Sequence, residues 1–328
     1  MKEITFLKQN AAKWQEFESL LSLKTGLDPD VIADYYLRLT DDLSYSRTHY
    51  PKSKTTQYLN SLASKAHREI YKNKKERKTR IVTFWKYELP FLFQKIHQQL
   101  FYAFLIFFTA SLIGVISAAN DADFVRLILG DSYVNQTLEN IDKGDPMAIY
   151  KSMLPGNMFL MITLNNILVS FACFAMGILF SIGTGYMLFT NGLMLGAFQY
   201  FFYEKGLLLE SALVIWIHGT LEISAIVIAG GAGLTMGNSI LFPGTYSRVQ
   251  SFMKGAKQGV KIIVGLVPVF IMAGFLESFV TRHTEMPGFL SLFIILISLT
   301  FIIGYFIIYP IYLNKKNINP NLYESGKN

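Results

Sequence analysis

The sequence predicts an all-α protein: a polytopic helical membrane protein with about six transmembrane helices and an N-terminal soluble helical module. Three observations predict it. Hydrophobic residues make up 52% of the 328 residues and charged residues only 16%, against about a quarter charged in ordinary globular domains. Charge gathers before Leu100, and six apolar stretches follow it, each long enough to cross a hydrocarbon core of about 30 Å. The stretches are continuous rather than alternating, which disfavours a membrane β-barrel.

The module covers residues 1–80. In its first helix Phe6, Leu7, Trp14, Phe17, Leu20 and Leu21 recur mostly three or four apart, so they share a face. Gly26 ends that helix, and Asp28-Pro29 reads as a cap with proline at the first helical position. Ile32, Tyr35, Tyr36, Leu39 and Leu43 stripe a second helix, and Pro51 breaks the chain. A third helix follows over 55–78 with Tyr58, Leu59, Leu62, Ala66 and Ile70. Helices this short hold only if their stripes meet, so a small bundle is expected. Residues 81–99 mix Trp85, Tyr87 and Phe91 with Lys86 and Lys95, as an interfacial amphipathic segment does.

The predicted spans are 100–119, 158–181, 185–203, 208–230, 260–281 and 289–311, forming a domain over 100–311 with a tail at 312–328. The third is the weakest, because it carries Asn191 and Gln199 and stands only a few residues from the second. Those two could be one broken element. Ten Lys and Arg residues fall from Lys65 to Lys95, and Arg248, Lys254, Lys257 and Lys261 crowd the loop after the fourth span. The loop 120–157 has Arg126, Lys143 and Lys151 against six acidic residues. The positive-inside rule then sets both termini in the cytoplasm of a cell membrane and 120–157 outside. Part of that loop has the apolar spacing of a surface helix. The polar start, MKEITFLKQNAAKWQEF, is unlike a cleaved leader.

A single cysteine, Cys173, inside an apolar run allows no intrachain disulfide or thiolate cluster. The net charge of +7 lies beside membrane segments, so membrane lipids rather than nucleic acid are the expected partner. A homo-oligomer is compatible with the sequence.

Polar residues inside the spans carry the chemistry. Asn165, Asn166, Asn191, His218 and Glu222 are each costly in hydrocarbon and must face one another, water or the bundle interior. His218 and Glu222, four apart, share one helix face. By depth Asn191 belongs near Glu222, and Asn165 or Asn166 near His218. The cluster reads either as an ion, lipid or solute site or as interhelical glue. No second imidazole sits at helical spacing, and Glu277 leaves the ligand set incomplete, so neither metal nor cofactor is expected. Nothing marks a nucleophile, so an enzyme is not expected. Gly219 in the fourth span and Gly230, Gly231, Gly233 and Gly237 at its cytoplasmic end are read as close-packing positions.

Several segments together resemble the stage II sporulation protein M family: W-x-x-F-E-x-L-L at Trp14–Leu21, NNILVSFACFAMGILFSIGTG from Asn165, Asn191-Gly192 with Gly196, HGTLEISAIVIAGGAGL from His218, Pro243-Gly244, and FLESFVT from Phe275. The resemblance implies a membrane protein acting with envelope or peptidoglycan-remodelling partners as their anchor, and it implies no catalytic residue. A scaffold is therefore the first functional expectation. A transporter or channel using the His/Glu/Asn cluster is the second.

Overall fold

The computed structural model describes residues 2–22, 29–70, 80–151 and 153–316, and every regular element among them is helical. The predicted stop at Gly26, the cap residue Asp28, the basic residues 72–78 and the tail beyond Lys316 lie outside the described residues. The chain packs as two units, Met1–Lys78 and Thr79–Asn328.

The first unit holds α1 (Glu3–Ser22), α2 (Pro29–His49) and α3 (Lys54–Ile70). Phe6, Trp14 and Phe17 of α1 meet Leu39 and Leu43 of α2 and Leu59, Leu62 and Ala66 of α3 in one core. Leu7, expected on that stripe, is exposed instead. Polar contacts fix the register. Trp14 Nε1 donates to Asp42 Oδ2 at 2.8 Å, and Thr56 Oγ1 donates to Tyr50 O at 2.7 Å, tying the Pro51 turn to α3. Tyr58 donates to Glu18 at 2.9 Å. That bond, with Lys65 beside it, holds the Glu18 carboxyl below its ordinary value, while burial pushes the Tyr58 phenol up to about 12. Leu59 is fully buried, so Leu59→Ala should destabilise the bundle by about 2–5 kcal/mol. Hydrogen exchange on the full chain should then quicken across 2–70 and stay unchanged in the second unit; protection kept throughout would count against this core.

The second unit begins with α4 (Arg80–Thr83), a π turn at Phe84–Glu88 and α5 (Leu89–Lys95). In this segment, predicted to be interfacial, residues 88–93 and Ile96 are buried while Ile81, Val82, Lys86 and Lys95 are exposed. Leu89, Leu92, Phe93 and Ile96 enter the main membrane-unit core, because Pro90 starts a helix whose apolar residues run nearly unbroken. Three hydrogen bonds dock it: Trp85 Nε1 to Gly265 O, Tyr305 OH to Trp85 O, and Tyr309 OH to Lys86 O. Glu88, almost fully buried, pairs with Arg80 at 3.1 Å and with Lys261.

Next come α6 (His97–Asn120), α7 (Ala122–Leu129), α8 (Asp131–Asp142), α9 (Pro155–Ala175), α10 (Ile182–Glu204), α11 (Leu208–Leu241), α12 (Arg248–Phe275), α13 (Gly288–Ile303) and α14 (Tyr309–Lys315). A π turn at Leu276–Thr281 extends α12, and another at Gly304–Ile308 joins α13 to α14. Among the described residues five helices are long and apolar enough to cross a membrane: His97–Asn120, Pro155–Ile178, Leu208–Leu241, Arg248–Thr281 and Gly288–Lys315. The third of the six predicted spans is α10, a separate 23-residue helix less apolar than those five. Two of its polar groups bond along its own backbone, Thr190 to Tyr186 O and Asn191 to Met187 O. Gly192 and Gly196 press on α6: a Cβ on Gly192 would stand 2.5 Å from Phe107 O.

Two helices outrun their predicted lengths. Residues 231–241 continue α11 through the glycine run, and the basic stretch from Arg248 is continuous with the fifth span. Between α9 and α10 the chain reverses at Phe180 and Ser181, both left-handed at φ 53° and 69°. Ser181 Oγ donates to Leu234 O at 3.3 Å, and Thr184 Oγ1 donates to Cys173 O at 2.7 Å. The reversal nests on the glycine face of α11, where a Cβ on Gly237 would lie 2.7 Å from Gly177 O. Residues 121–151 fold as a helical cap, with Val125, Val134 and Met147 packed on Ala118, Phe201, Phe202, Val214 and Ile215.

Candidate functional site: a His/Glu/Glu cluster

The cap and the π turn build the site. Cap residues Ala148–Lys151 form a 3-10 turn that brings Tyr150 against the His218 ring, edge to face at 5.7 Å between centroids. A π turn adds a residue to a helical turn and re-aims the side chains it carries. Here it turns Glu277 and Thr281 of the α12 extension onto α11. His218 Nδ1 lies 3.0 Å from Thr281 Oγ1, and His218 Nε2 lies 3.8 Å from Glu277 Oε1. Glu222 stands one turn along α11, and one potential ligand atom from each of His218, Glu222 and Glu277 falls within 4.8 Å of the others.

Asn166 of α9 closes another side. Its side chain neighbours the Glu222 carboxyl, yet its Nδ2 is buried with no hydrogen bond of normal geometry. Ser278 Oγ, fully buried, is likewise unpartnered. Burial first, and the Glu277 charge second, push the Tyr150 phenol well above its ordinary value. It therefore stays a hydrogen-bond donor beside the two carboxyls.

Of the residues predicted to cluster, His218, Glu222 and Asn166 come together. Asn165 is exposed on the other side of α9, and Asn191 donates to Met187 O on its own helix at 2.8 Å. Gly192 and Gly196 of α10 pack on α6, and the Asn191 amide is satisfied on its own helix. The third contributor is the end of the fifth span, not the third span. Thr281 and Tyr150 had no sequence signal. Glu277 had one, an embedded carboxylate in FLESFVT.

Among the glycines, a Cβ on Gly230 would meet Leu188 at 2.5 Å, on Gly231 Leu100 at 2.6 Å, and on Gly233 Cys173 O at 2.8 Å. Gly219 differs. A Cβ there would meet only Ile215 and Ile223 of its own helix at 3.9 Å, so no neighbouring helix backbone presses on it.

The fold and this cluster define a class: a multi-helix membrane protein with ionisable side chains gathered between its spanning helices. The stage II sporulation protein M family matches residues 103–282, more than half of the chain and the whole cluster, and the protein belongs to that family. A second match, to a domain of unknown function (DUF8413), covers residues 4–72 and so coincides with the three-helix bundle. No curated protein and no solved structure matches the chain.

Proposed function

We propose that the protein is a non-catalytic scaffold of the cytoplasmic membrane that holds envelope-acting, peptidoglycan-remodelling proteins in place. The observation that carries this reading is the division of the chain. A helical bundle with its own core and a matching family of its own precedes the membrane unit. On the bundle a cavity of about 620 Å³ opens between α2 and α3, lined by Tyr36, Leu43, Asn60 and His67 with Arg47 and Arg68. That shape and charge suit an acidic segment of a partner. With α10 taken as a sixth crossing, both termini fall in the cytoplasm, and the bundle would recruit on the inside while the 120–157 cap presents a second surface outside.

Single cysteines at exposed cap positions such as Leu127 should then label from outside intact cells, and those at Val249 should not. Deleting 1–78 should abolish co-purification of partners from native membranes while the membrane unit stays folded. Glu222→Gln should leave co-purification intact. Undiminished recruitment by the truncated protein would end the scaffold reading. A transporter is favoured by one observation, two carboxylates embedded between spanning helices. On that reading Glu222→Gln abolishes solute flux in proteoliposomes instead.

A further inference from the structure

We propose that His218, Glu222 and Glu277 form a binding site for a divalent transition-metal ion, with zinc the cation that best suits one imidazole and two carboxylates. The three potential ligand atoms lie within 4.8 Å of one another. Around a zinc with bonds of about 2.0–2.2 Å, tetrahedral ligands stand roughly 3.4 Å apart. The His218 Nε2 to Glu277 Oε1 separation of 3.8 Å is close to that, and rotation of the two carboxylate side chains closes the rest.

The surroundings are those of a metal site. A ligating imidazole is oriented through its other nitrogen. Thr281 Oγ1, 3.0 Å from Nδ1, can accept a hydrogen bond from the Nδ1–H and leave the Nε2 lone pair facing Glu277. Asn166, 95% buried, directs an amide with no hydrogen bond of its own to the Glu222 carboxyl, as a group steadying a ligating carboxylate does. Among the described residues neither Glu222 nor Glu277 is in an ion pair with Lys or Arg. Two carboxyl groups this close must share a proton or gain a counter-charge, and a divalent ion supplies that charge while joining α11 to the α12 extension. Three protein ligands leave a fourth position for a small ligand, with Tyr150 standing over the set. The proposal concerns occupancy, not a reaction, and it stands whether or not the scaffold reading does.

The test uses the full chain in detergent, stripped with chelator and then given Zn²⁺ or Co²⁺ alone. Wild type should retain about one zinc per chain through gel filtration, and the cobalt form should show the visible absorption of a nitrogen- and oxygen-ligated site. His218→Ala and Glu277→Gln should lose at least tenfold in affinity. Thr281→Val, which touches no ion, should lose about 10–100-fold with its helical spectrum unchanged. Folded wild type that takes up neither ion would overturn the site, as would Glu277→Gln binding like wild type. Should the variants fail to fold, the wild-type stoichiometry and cobalt spectrum decide alone.

Discussion

Replacing Arg80 and Lys261 together by methionine should destabilise the membrane unit by about 3–5 kcal/mol, because it strands a buried carboxylate. Glu88 has a side-chain exposure of 0%, whereas Arg80 keeps 30% and Lys261 26%. The asymmetry sets the order of effects. With both cations gone, Glu88 has neither water nor counter-charge. Glu88→Gln leaves two cations that can still turn to water, and it should cost about 1–2 kcal/mol. Thermal unfolding in detergent compares the two. A larger loss in Glu88→Gln than in the double variant would show that the cations, not the carboxylate, carry the penalty.

A second large effect is expected from a single methyl group. Gly192→Ala sets a Cβ 2.5 Å from the Phe107 carbonyl oxygen and 2.7 Å from the Ala110 Cβ, and Gly114→Ala sets one 2.5 Å from Leu193 O. The obstacles include backbone atoms, so α6 and α10 must separate, costing about 1–3 kcal/mol for each change. The control lies on the same helix. Gly185 has nothing within 4 Å of its Cβ position, so Gly185→Ala should be neutral or should stabilise by up to about 1 kcal/mol through helix propensity alone. Equal loss at Gly185 and Gly192 would mean that crowding between helices is not the cause.

The helical class and the approximate positions of the spans were legible because apolar run length is a local property of sequence. The ends of α11 and α12 were not. The predicted fourth span stops at Gly230, where the glycine run begins, yet Leu188, Leu100 and Thr184 pack against Gly230, Gly231 and Gly233 and the helix runs on to Leu241, an effect of tertiary contact that no local propensity contains. The candidate site was half legible for a related reason. Spacing put His218 and Glu222 on one face, and depth put Asn166 nearby, but sequence gives each helix no rotation about its own axis relative to its neighbours. That rotation separates Asn191, satisfied on its own backbone, from Asn166, turned inward. The π turn that delivers Glu277 and Thr281 has no signature in FLESFVT. Glu88 was overlooked because a glutamate among aromatic and basic residues looks solvated until Lys261, 173 residues later, is brought beside it.

The reversal at Phe180 and Ser181 has a consequence for biogenesis. Neither residue favours the left-handed backbone it adopts, and what supports that conformation is the glycine face of α11, which includes Gly233 and Gly237. Synthesis runs from the N-terminus, so α9, the reversal and α10 all leave the ribosome before that face exists. Until then the α9–α10 pair has only its own bonds across the turn, chiefly Thr184 Oγ1 to Cys173 O, and the bond from Ser181 to Leu234 O must wait for α11. A later helix thus completes the packing of an earlier turn.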